Sequence, residues 1–99
     1  MDFTLLILGI FISAIGITNL NGNISTVHSY NRSRVKEEDV PKYGIAVGTG
    51  TLIMGVSLIA AFLLSFISEV LTVVAIIPGF VVGIGFILYG QFKYNKGIF

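Results

Sequence analysis

The sequence predicts an all-α membrane protein with three transmembrane helices, the second and third paired in a tight antiparallel hairpin. Three observations lead there. Of 99 residues, 55% are hydrophobic and only 11% charged, whereas a soluble chain is about one-quarter charged. Mean hydropathy is +0.94, and a chain this short buries only about 60–65% of its surface on folding, so lipid must cover the remaining apolar side chains. Finally, residues 3–20, 44–68 and 70–92 contain no charge, while Arg32, Arg34, Lys36, Glu37, Glu38, Asp39 and Lys42 hold seven of the eleven. The chain, 1–99, therefore reads as a single transmembrane domain with helices at about 3–20, 44–68 and 70–90, a connection at 21–43 and a tail at 91–99.

At about 1.5 Å per residue the first span reaches about 27 Å, and the second is long enough to cross a core of about 30 Å with tilt. Helices are required, because so short a chain closes no barrel and lipid leaves backbone groups no other partner. A cleaved signal peptide is the competing reading of the first span. Asp2 stands where a basic residue would be expected, and Ile17-Thr18-Asn19-Leu20 offers no small-x-small cleavage site, so the segment is expected to stay as an anchor.

Orientation follows from the basic residues. Arg32, Arg34, Lys36 and Lys42 lie in the first connection and Lys93 and Lys96 in the tail; three spans put both on one side, which the positive-inside rule makes cytoplasmic. Tyr30, Tyr43, Tyr89 and Tyr94 stand near the same ends, where amphipathic rings favour the headgroup zone. The expected orientation places the N-terminus outside and the C-terminus in the cytoplasm.

The second connection, residues 65–69, is only long enough for a hairpin of antiparallel neighbours. Ser68 is placed to cap the third helix, with Glu69 in its first turn. The first connection is long. Ile24, Val27, His28, Asn31 and Val35 recur at helical spacing, which fits either a helix along the inner leaflet over 25–35 or a solvated excursion. Asp39 or a neighbour can cap the second helix, with Pro41 in its first turn. His28, Tyr30, Arg32, Arg34, Glu37, Glu38 and Asp39 are the candidate interaction residues, against the plainer reading of a self-neutralising solvated loop.

Glycine is abundant, 12 of 99 residues, against about 7% on average. Gly44, Gly48, Thr51 and Gly55 form a small-residue face on the second helix, Ala75, Gly79 and Gly83 one on the third, and Gly9, Ser13 and Gly16 a shorter one on the first. Each helix is expected to present one such strip, and the three to meet inside the bundle. In the alternative, one strip faces outward and mates with a membrane-protein partner or a second copy. Pro78, inside the third span, is the candidate kink because it frees the carbonyl of Val74.

No enzyme is expected, because no nucleophile and base, metal cluster or phosphate cradle can be assembled. There are no cysteines and one histidine, His28, read as an interfacial polar residue. No cofactor is expected. The net charge of +1 gives no field for nucleic acid. Ion-coupled transport needs an intramembrane charge, and the spans hold none. The hydroxyls of Ser13, Thr18, Thr49, Thr51, Ser57, Ser65 and Thr72 can each bond a carbonyl one turn back.

The stretch from His28 to Asp39, with Pro41 and the glycine-rich opening of the second helix, resembles an uncharacterised family of small three-helix membrane proteins from Gram-positive bacteria, a domain of unknown function. The resemblance covers most of the chain and is strongest from Gly22 to about Ile59. It implies a bacterial plasma membrane and carries over no catalytic residue. The expected role is that of a small multi-pass accessory or interaction protein, acting through helix packing and its cytoplasmic loop. An oligomeric channel or small transporter is the alternative.

Overall fold

Helices form where the charge-free runs lie, and local chemistry sets their ends. The computed structural model describes residues 3–24 and 35–97. It comprises α1 (Thr4–Leu20), a 3-10 turn (Glu37–Asp39), α2 (Val40–Leu64) and α3 (Glu69–Tyr94). The fold is all-helical, and the two longest apolar helices pack together.

Glycine stops α1. Gly22 takes φ 92, its N–H bonds Asn19 O at 3.0 Å, and Asn23 N–H bonds Thr18 O at 3.1 Å. This pair of bonds, closing over a left-handed glycine, satisfies carbonyls that the helix end would otherwise orphan. The Asn19 side chain fixes the exit further by donating from Nδ2 to Asn23 O at 2.9 Å.

α2 starts four residues before the expected 44, because Pro41 fits a first turn where its missing N–H costs nothing. Asp39 occupies the N-cap position, but its side chain makes no capping hydrogen bond. The helix also ends at Leu64 rather than 68, and residues 65–68 make the turn. Ser68, with φ −163 and ψ 141, accepts from Val70 N–H at 3.1 Å, and Glu69 opens α3 as expected. Ser68→Ala should therefore lower stability by about 1 kcal/mol, read as an earlier midpoint when helicity is titrated with SDS. α3 runs past the expected 90 to Tyr94, since Gln91, Phe92 and Lys93 are polar or bulky without breaking a helix. It continues as helix through Pro78.

The packing corrects the expectation of one strip per helix meeting at a common centre. α2 lies in the middle, packed on α1 and on α3, and these two have little contact with each other. α2 therefore carries two small-residue faces. Toward α1, a Cβ at Gly48 would stand 2.7 Å from Gly16 O and Leu20 N, while one at Gly44 would meet Asn19 O and one at Gly55 the Ser13 side chain. Toward α3, a Cβ at Gly50 would meet Gly83 O, one at Gly83 would stand 2.7 Å from Gly50 O, and one at Gly79 would meet Ser57. Both pairings are antiparallel. Thr72 Oγ1 spans the hairpin to Ala61 O at 3.5 Å as well as bonding Ser68 O at 3.2 Å.

On α3, burial is distributed by size in the reverse of a soluble core. The buried residues of α3 are Gly83, Gly90 and Gln91, while Val70, Val73, Val74, Ile77, Val81 and Val82 are exposed. Openness of the fold does not explain this. The accessible surface is 5927 Å², close to the about 5500 Å² of a folded soluble chain of this mass. The stretches Glu37–Leu64 and Glu69–Tyr94 are long and apolar enough to cross a membrane, whereas Thr4–Leu20 is a shorter apolar helix. Phe3, Phe62 and Phe66 cluster at the hairpin end, with ring centroids 5.5 and 5.2 Å apart in succession.

Candidate functional site

The opposite end, where α1 stops, α2 begins and α3 finishes, gathers the described charged and amide side chains apart from Glu69. Its foundation is a cluster of Ile24, Tyr43 and Val47, against which Val35, Val40, Ile87 and Tyr94 pack. Ile24 and Val35 come from the two flanks of the first connection, so this cluster ties both flanks to the bundle. Tyr43 is 0% exposed. It is a core residue, where the headgroup-zone reading of the four tyrosines placed an interfacial ring.

Three amides are buried around this cluster: Asn19, Gln91 and Asn95, the first and last at 1% and 0% exposure. Asn95 ends α3, donating from Nδ2 to Gly97 O at 2.8 Å while its backbone N–H bonds Gln91 O at 3.0 Å. Gln91 Oε1 is buried with no hydrogen-bond partner among the described residues. Amides are suited to this position because they satisfy chain reversals without introducing a charge.

Beside the amides, Lys93 Nζ donates to Tyr89 Oη at 2.9 Å and lies 5.3 and 5.6 Å from the ring centroids of Tyr89 and Tyr94. The two rings meet edge to face at 6.4 Å. An ammonium is attracted by the negative ring faces and stays at the surface while its alkyl stem covers apolar ground. Tyr89 and Tyr94 also line a cleft of about 240 Å³ between α2 and α3, with Lys42, Ala46, Thr49 and Phe86. Phe86 and Tyr89 are shared with an adjoining apolar groove of about 400 Å³ along Val82 and Gly85.

Of the candidate interaction residues, Glu37 and Glu38 are exposed on the 3-10 turn and Asp39 is half-buried. Glu37 and Glu38 line a shallow depression with Lys36. His28, Tyr30, Arg32 and Arg34, and most of the helix considered over 25–35, lie outside the described residues. The candidate packing glycines Gly44, Gly48, Gly55, Gly79 and Gly83 all stand at helix contacts within the chain. Thr18, Thr51, Ser57, Ser65 and Thr72 each bond a carbonyl of their own helix or its turn. Ser13 Oγ is buried against α2 with no hydrogen-bond partner among the described residues.

Sequence reading missed Gly50 and Gly90, which complete the α2–α3 contact, and the burial of Asn19, Gln91 and Asn95. A signal for Gly50 existed. At 100° per residue, Gly48 and Gly50 face about 160° apart, so small residues at both positions imply two faces. Comparison of the chain with protein-family models, curated proteins and solved structures finds no match.

Proposed function

We propose that this chain is a small multi-pass membrane protein of a bacterial plasma membrane, N-terminus outside. It acts as an accessory or interaction protein through the cytoplasmic connection at 21–43. The observation that carries the membrane reading is the inside-out burial of α3, of whose most apolar window only 6% is buried. In water each large aliphatic side chain left exposed forgoes about 1.5–3 kcal/mol; in hydrocarbon that penalty is absent, and close backbone packing of small residues supplies the association instead. α1, at 17 residues, sits at the short end of the range that spans a bilayer. Lys93, Tyr89 and Lys42 at one end and the phenylalanine cluster at the other fit two membrane boundaries.

The accessory role is favoured over a channel because the glycine faces are used between helices of one chain. The intramembrane hydroxyls of Thr51 and Ser57 already bond their own helix. The exposed Glu37 and Glu38 and the basic residues beside them are then the surface a partner in the cytoplasm would meet.

Because the chain has no cysteine, single-cysteine variants report topology cleanly. The protein should sediment with membranes and require detergent for release. An impermeant thiol reagent applied to intact cells should label Ser68→Cys and spare Lys96→Cys until the cells are opened. Recovery in a detergent-free supernatant, or labelling of Lys96→Cys on intact cells, defeats the reading.

A further inference from the structure

The notch at Gly85 and the adjoining cleft at Lys42, which share Phe86 and Tyr89, combine features that no packing requirement explains. Gly79, Gly83 and Gly90 each stand against α2, yet a Cβ at Gly85 would meet nothing within 4 Å. Gly85 follows Gly83 by two residues and so faces away from the strip that docks on α2. Its missing side chain opens a notch between Val82, Phe86 and Tyr89, and that notch is almost wholly apolar. Toward the loop end Tyr89 and Phe86 also line the cleft holding Lys42 and Thr49, so the notch and the cleft adjoin at these two rings. Lys93 Nζ lies 2.9 Å from the hydroxyl of Tyr89, a residue of both cavities. Among the described residues, no acidic side chain lines either cavity.

We infer that this groove binds one anionic phospholipid, its phosphate held between Lys42 and Lys93 and an acyl chain lying in the notch at Gly85. The inference rests on the membrane reading above. Charge complementarity selects the occupant: two ammonium groups with tyrosine hydroxyls at the headgroup level attract an anionic phosphate, while the apolar trough below accepts a hydrocarbon chain and rejects a soluble anion. A zwitterionic lipid offers the same chain, but its own cation weakens the pull of the two lysines. A transmembrane helix of a partner would fit the trough without needing the lysines, and that difference decides the test.

The full chain, purified in a mild neutral detergent, is examined by native mass spectrometry with added phosphatidylglycerol or phosphatidylcholine of equal chain length. Phosphatidylglycerol should be retained as a single adduct at a concentration at least tenfold lower. Each lysine near an anionic headgroup is worth about fivefold in affinity, so Lys42→Gln with Lys93→Gln should weaken phosphatidylglycerol roughly thirtyfold. Gly85→Leu, which fills the notch without touching α2, should weaken it while leaving far-UV circular dichroism unchanged. Inorganic phosphate at millimolar concentration should not displace the lipid. Equal retention of the two lipids overturns the site. So does displacement by phosphate, or phosphatidylglycerol binding unaffected by both sets of substitutions. If the chain sediments with membranes yet fails these tests, only the lipid site is lost. Recovery in the soluble fraction removes the membrane reading itself.

Discussion

Gly50→Leu should separate α2 from α3 and produce one of the two largest losses in the bundle. A Cβ at this position would run into Gly83 O and, at 2.8 Å, the Ile87 side chain. The first obstacle is a backbone carbonyl inside a continuous helix, so no rotamer change relieves it and the whole helix must move. Moving α3 away also undoes the approach of Gly83 to Gly50 O and of Gly90 to Ala46. Overpacking of this kind costs about 3 kcal/mol, more than a hundredfold in the folding equilibrium, and close packing is the main force joining helices in lipid. The measurement is SDS titration followed by far-UV circular dichroism, with Gly85→Leu as the matched control. Both variants add the same side chain to an apolar helix, and only Gly50→Leu should shift the midpoint. Equal midpoints would mean that the close approach of α2 and α3 contributes nothing.

Tyr43→Ala should be at least as damaging, with a different signature. The ring is fully buried among Ile24 and Val47, with Val35, Val40, Ile87 and Tyr94 around them. Deleting a buried aromatic ring leaves a cavity and costs about 3–5 kcal/mol. Since Ile24 and Val35 flank the first connection, the loss falls first on the anchoring of that connection. Trypsin cleavage after Lys36 and Lys42 should accelerate at least tenfold in detergent, before any change in helicity. Unchanged cleavage would show that the connection is held by something other than this cluster.

The helices and their polarity were legible because they depend on composition along the chain. Charge-free runs located all three, Pro41 and Ser68 marked two helix starts, and Gly22 sits where α1 stops. Boundaries within a few residues were less legible, since hydropathy reports where charge stops and hydrogen bonding reports where helix stops; Lys93 is charged and still helical. The two-faced character of α2 escaped because one strip, Gly44–Gly48–Gly55, accounted for most of its glycines and drew the eye from Gly50. Tyr43 escaped for a different reason. A tyrosine at the end of an apolar run suits both a headgroup zone and a buried cluster, and only the return of Ile24, Val35 and Tyr94 to the same spot chooses between them. The same holds for Asn19, Gln91 and Asn95, whose burial depends on three distant chain segments converging.

The middle position of α2 also fixes a timetable. α1 leaves the ribosome first and has no neighbour to settle on until its successor is complete. Once α2 is made, one of its sides is engaged and the other is still bare, so α3 arrives last, at a template already half built. A nascent chain halted before Glu69 would therefore leave Gly50 and Ser57 uncovered, and the interval until synthesis resumes is when a chaperone or a stray helix has its opening.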